Sequence, residues 1–170
     1  MSKYDEIIEL AKQASGDIAV YQKDSKEFVE ALAAEFANYL GVTVYSVTAE
    51  GARSDTEAES KTPWDSMTME EDGFWHFGLA FDFPRGGQYA IPLFFRKVKD
   101  RYELHIDKDS GRKTFWIRNL DSNAFQPFLD YVFTSIKRHF ESFKDFPSAK
   151  PIPGFNRARI LKTLESSESE

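Results

Sequence analysis

A chain of 170 residues with 41% apolar side chains, sixteen of them Phe, has the length and aromatic content for one folded domain with its own core. It carries no cysteine, which excludes disulfides, thiolate catalysis and Cys-based zinc or iron–sulfur sites. The net charge of −6 argues against a phosphate-binding surface as the main business of the chain. No apolar run approaches the ~18 residues of a membrane span, so a cytoplasmic protein is expected.

Two N-terminal helices are expected first. Residues 3–15 begin after Ser2, with Asp5 three residues on as a capping pair requires, and Gly16 stands where a stop belongs. Tyr4, Ile7, Ile8, Ala11 and Ala14 give this segment a narrow apolar stripe. The second helix, 25–40, reads as capped by Asp24 and ended by Gly41, with Phe28, Leu32, Phe36, Tyr39 and Leu40 at helical spacing.

VTVYSVT, 42–48, is β-branched and aromatic and reads as a first strand. Residues 49–72 are polar and acidic and read as a long exposed loop, from which Trp64 is expected to tuck back onto the body. Strands follow at 74–83, 88–98, 102–107 and 113–118, joined by short turns that enforce an antiparallel meander. Residues 123–143 read as a long helix, with Phe125, Phe128, Leu129, Val132, Phe133, Ile136, Phe140 and Phe143 on one side and Pro127 tolerated near the first turn. His139 in that helix is expected at its surface or boundary.

The fold expected is therefore α+β: two N-terminal helices, an antiparallel meander of about five strands, and one long helix packed on the sheet. Residues 1–146 form the domain. Residues 147–170 form a Pro-containing extension, with a short helix expected over 156–165 and a disordered acidic end.

Catalytic signatures do not emerge. GxGxxG, GxxxxGK[ST], HExxH and GxSxG are all absent. DKDSGR, 107–112, begins like a calcium loop but has glycine in the fifth place rather than the sixth and Arg118 where the loop needs Glu. Ser110 to Lys113 fits SxxK, but in a hairpin turn instead of at a buried helix start. Neither a cofactor nor a metal is expected.

FWHFGLAFDFP, 74–84, places Trp75, Phe77, Leu79, Phe81 and Phe83 on a core face and His76 and Asp82 on the other. Matching core positions pairs Phe83 with Tyr89, Leu79 with Leu93 and Phe77 with Phe95. That register sets His76 opposite Arg96. A four-residue turn to the next strand then pairs Arg96 with Glu103 and Phe94 with His105; a tighter turn pairs Arg96 with His105. Either way a whole strand separates His76 from His105, roughly 10 Å between backbones. Pro92, inside a strand, calls for a bulge or an unpaired side.

The second sheet face thus reads as an apolar patch, Phe74, Gly78, Ala80, Ala90, Pro92, Phe94 and Val98. A rim of His76, Asp82, Arg96, Glu103 and His105 surrounds it, the look of a docking surface unless a helix of the same chain covers it. Trp116 joins this side among Arg112, Lys113 and Arg118. Charge is polarised as well: residues 1–72 carry 16 acids and 6 bases, residues 73–164 nine acids and 16 bases. We expect a small protein-interaction module of inhibitor, immunity or adaptor type, with a protein partner and binding residues His76, Phe94, Arg96, Glu103, His105 and Trp116. The alternatives are a small-ligand protein or enzyme with a pocket between sheet and helix, using Trp64 with His76, Arg96 and Glu103, and a nucleic-acid contact through the basic hairpin 96–118.

Overall fold

The computed structural model describes residues 2–49, 63–84, 87–106 and 112–141. The 107–112 turn for the most part, the central stretch of the acidic segment and the whole 147–170 extension lie outside the described residues.

One helix, not two, opens the chain: α1 runs unbroken from Lys3 to Leu40. Ser2 caps it through a reciprocal capping box with Asp5, as its sequence implies, and those hydrogen bonds hold the Asp5 carboxyl below its ordinary value. Gly16 does not stop it. A helix-ending glycine takes positive φ, as Gly41 does at the C-cap (φ 68), and Gly16 does not. An exposed mid-helix glycine costs about 1 kcal/mol relative to alanine, too little to break a helix anchored further on. Asp24 is drawn into the helix and does not cap: its carboxylate pairs with Lys97 and its carbonyl oxygen accepts the Tyr102 hydroxyl at 3.0 Å.

Six strands follow: β1 (Tyr45–Val47), β2 (Thr68–Met69), β3 (Trp75–Asp82), β4 (Gln88–Val98), β5 (Arg101–Ile106) and β6 (Lys113–Ile117). They form one antiparallel sheet ordered β1-β3-β4-β5-β6, with β2 also pairing with β3. A 3-10 turn, Pro63–Ser66, precedes β2. The last described element is α2, Ser122–Glu141. Pro127 sits inside it in the second turn, so the Asn123 carbonyl loses its helical donor.

The β3–β4 register differs from the expected one by two residues. Phe81 pairs with Tyr89, Leu79 with Ile91, Phe77 with Leu93 and Trp75 with Phe95. The hairpin is tighter than core matching alone suggests: Phe83 N–H donates to Gly87 O at 3.0 Å, and Gly87 takes a positive φ of 93° that a glycine allows. An even shift leaves every side chain on its own face, so the core survives while each cross-strand neighbour changes. Pro92 forces no bulge; it pairs in register with Gly78. Since Phe83 bonds Gly87, alternation turns the Pro92 nitrogen towards β5, and the described ladder there ends at Leu93–Ile106.

Both helices lie on one face. Phe28 of α1 stacks on Tyr102 at 4.2 Å and contacts Phe95 and Phe125. Phe128 of α2 meets Phe115 edge-on, and Phe140 meets Phe83. Burial lifts the Tyr102 hydroxyl to about 12, with Asp24 adding to it, and pushes the Tyr89 phenol up as well. His139 is buried on the inner side of α2 beside Phe140, not at its surface.

Candidate functional site

The other face of the sheet is the one with polar chemistry. Its strand-borne residues follow from alternation: His76 on β3, Phe94 and Arg96 on β4, Glu103 and His105 on β5, Thr114 and Trp116 on β6. No described helix packs on it.

Three of the expected residues meet in one hydrogen-bonded row. Arg96 Nε donates to Glu103 Oε2 at 2.7 Å, and His105 Nε2 lies 2.8 Å from Glu103 Oε1. Burial alone raises the Glu103 carboxyl, but the hydrogen bonds from Arg96 and His105 outweigh it and leave the group below its ordinary value. The carboxylate is therefore ionised and accepts only, so His105 Nε2 carries its hydrogen. Nδ1 then accepts from the Thr114 hydroxyl at 2.9 Å. Burial pushes the His105 imidazole below its ordinary value, and Arg112 reinforces this against the pull of Glu103. The imidazole is neutral at neutral pH.

Phe74 roofs this row. Its ring meets His105 edge-on at 5.1 Å, and the Arg96 and Arg112 guanidinium groups lie 4.5 and 5.3 Å from its centroid. His105 retains 1% of its surface and Glu103 8%. Asp72 begins the same hairpin entry: it accepts from the Phe74 backbone N–H at 3.0 Å and from His76 Nε2 at 3.0 Å.

The tighter hairpin relocates His76. It faces Phe94, whose ring it meets at 4.5 Å, and not Arg96 as core matching implies. Phe94 pairs with both His76 and His105, so a strand stands between the two histidines as expected. Among the described residues no group of three His, Asp or Glu side chains converges as a metal would require.

Two expected members sit apart. Trp64 does tuck back, but onto the helix-bearing face, where its ring lies 4.8 Å from Trp75. Trp116 stays 47% exposed, with the Arg101 guanidinium 4.2 Å over its ring. The apolar patch is smaller than its residues suggest. Phe74 and Ala80 are buried, and Val47 of β1 closes on Gly78, where a Cβ would stand 2.8 Å from Val47 Cγ2. Tyr45 reaches across to Asp82 at 2.6 Å and accepts from Gln88 at 3.1 Å. What remains half-exposed is the strip of Ala90, Pro92, Phe94, Arg96 and Val98.

Sequence reasoning missed Thr114 and Asp72, and gave Arg112 only as a neighbour of Trp116, not of Phe74. Thr114 shares parity with Trp116, so alternation along β6 points to it. Asp72 and Arg112 lie outside strands, where no periodicity marks them.

Thr114, His105 and Glu103 are arranged in the order of a nucleophile, base and orienting acid. The row lacks what that chemistry needs next. His105 is sealed under Phe74, and Arg96 ties down the acid. A hydrogen-bonded row with its centre, Glu103 and His105, buried is what holds three neighbouring strands in one register. Comparison with protein-family models, with curated proteins and with solved structures gives no match, so the reading rests on the site's own chemistry.

Proposed function

We propose that the chain is a small protein-interaction module, of inhibitor, immunity or adaptor type, that binds a protein partner through the sheet face opposite its helices. The observation that carries this is Trp116. A tryptophan left 47% exposed on a sheet face, beneath Arg101 and one strand away from the half-exposed Phe94–Arg96 strip, is the kind of anchor interfaces are built around. His76 and Arg96 supply the polar edge. The Arg96–Glu103–His105–Thr114 row keeps that surface rigid, so little ordering is lost on binding.

The test uses affinity capture from the native host, followed by titration of the captured protein. Trp116→Ala and Phe94→Asp should each weaken binding by 10-fold or more, the ~1.4 kcal/mol or greater expected of a hot-spot side chain. Unchanged affinity in both variants, with the fold intact by circular dichroism, removes these positions from the interface.

A further inference from the structure

The N-terminal half of α1 is a projecting arm. Residues 2–20 are exposed apart from the half-buried Ile8, and the helix enters the domain only from about Tyr21. Yet the arm is not polar all round. Tyr4 is 70% exposed, Ile7 61% and Ile18 57%. At about 100° per residue these share one stripe with Ala11 and Ala14. That stripe runs straight on into Ser25, Val29, Leu32 and Phe36, which the domain buries. One apolar face therefore extends the whole length of α1, and only its second half is covered by the described residues.

The order along the stripe is Tyr4, Ile7, Ala11, Ala14, Ile18, Tyr21. The steps alternate three and four residues, the spacing of a two-helix seam. It is also a palindrome. From these observations we infer that the arm pairs with the arm of a second copy of this chain, antiparallel, about a two-fold axis between Ala11 and Ala14. Such an axis sets Tyr4 against Tyr21 of the second copy, Ile7 against Ile18 and Ala11 against Ala14, and each pair recurs on the other side, as an isologous interface demands. The alanines at the centre let the two helices approach to the short end of the ~8–10 Å range.

Three further features favour this occupant. Asp5, Glu6, Glu9, Lys12 and Lys23 all fall off the stripe, and Asp17 at its flank comes beside Leu10 of the second copy and not beside a like charge. A parallel pair is blocked: from Ser25 onward each stripe faces its own domain, so two domains would collide at one end. The two Tyr4 rings, at roughly 150 Å² each when buried, supply about a quarter of the ~1,200 Å² at which specific interfaces begin, and the exposed Ile7 and Ile18 of both copies, with what the domain leaves open of Tyr21, add to it. Pairing also accounts for a long helix with Gly16 and several β-branched residues in its exposed half, which has weak reason to be helical alone.

Light scattering on the full chain at tens of micromolar should give twice the chain mass of 19.6 kDa. Ala14→Glu, at the closest approach, should halve that mass while leaving the unfolding transition of the domain in place. Gln13→Glu, one residue round the helix and outside the seam, should leave the dimer intact. Because the chain has no cysteine of its own, Tyr4→Cys mixed with Tyr21→Cys reports orientation: the disulfide between the two variants should form in preference to either self-pair. A monomeric wild type, a dimer indifferent to Ala14→Glu, or a Tyr4→Cys variant that crosslinks preferentially to itself would each overturn the inference.

Discussion

Glu103→Ala removes the middle of the buried row. Its carboxylate accepts from Arg96 on one side and from His105 on the other. The Arg96 side chain is 43% exposed and can turn to water at little cost. His105 cannot, since only 2% of its side chain reaches the surface. Its Nε2 hydrogen is left buried without an acceptor, which costs about 1–3 kcal/mol, and the lost side chain adds a small void. A total of about 2–3 kcal/mol follows. Glu103→Gln is the control. Its amide oxygen can take the Arg96 hydrogen bond while its NH₂ donates to His105 Nε2, provided the imidazole switches tautomer and donates from Nδ1 to Thr114. That variant should cost less than about 1 kcal/mol. Urea unfolding at pH 7, with the slope checked for constancy, measures both. If alanine costs no more than glutamine, the row is not what holds β4, β5 and β6 together on this face.

The same row sets the pH response. His105 and Glu103 both have folded values below their ordinary ones of 6.5 and 4.5, so the unfolded chain binds protons more readily. Their contribution is full above those values and is lost on acidification, His105 first as pH falls below about 6.5 and Glu103 below about 4.5. Unfolding midpoints at stepped pH should decline over that window, and His105→Gln should flatten its upper part; a midpoint that rises on acidification contradicts the assignment. Gly78→Ala puts a Cβ 2.8 Å from Val47 Cγ2 and 3.0 Å from the Thr48 carbonyl oxygen. Because Val47 is fully buried, the expected cost is about 1–3 kcal/mol, read by urea unfolding, and a neutral result would mean β1 gives way freely. Gly16→Ala meets nothing within 4 Å and should raise helix stability by about 0.5–1 kcal/mol, visible as a higher midpoint in far-UV circular dichroism; a loss there would mean the chain bends at Gly16.

The amino-acid sequence by itself determined α2, the strands of the meander and the faces of the sheet, but not the unbroken α1 or the short β2. Alternation through WHFGLAFD put Phe77 and Leu79 inside and His76 outside, the apolar pattern of α2 chose its buried side at Phe125, Phe128, Leu129 and Val132 but not at Phe133, which is 48% exposed, and Ser2, Asp5 and Gly41 marked where α1 begins and ends. These are local matters, decided by period and by caps. They also separated His76 from His105, because a strand's width does not depend on the exact register. What reached beyond local rules was decided only in three dimensions. A helix stops at Gly16 only if something better awaits the backbone there, and Asp24 found Lys97 and Tyr102 across the fold instead of a cap. Core matching alone cannot tell registers two residues apart, since both keep faces intact; the Phe83–Gly87 closure chose between them and moved His76 from Arg96 to Phe94. The meeting of Phe74, placed on this face by alternation, with Arg112 and His105, and the withdrawal of Trp64 to the opposite face, depend on where turns carry Arg112 and Trp64, which no period governs. Pattern sets which way a side chain points, whereas packing between distant segments sets what it meets.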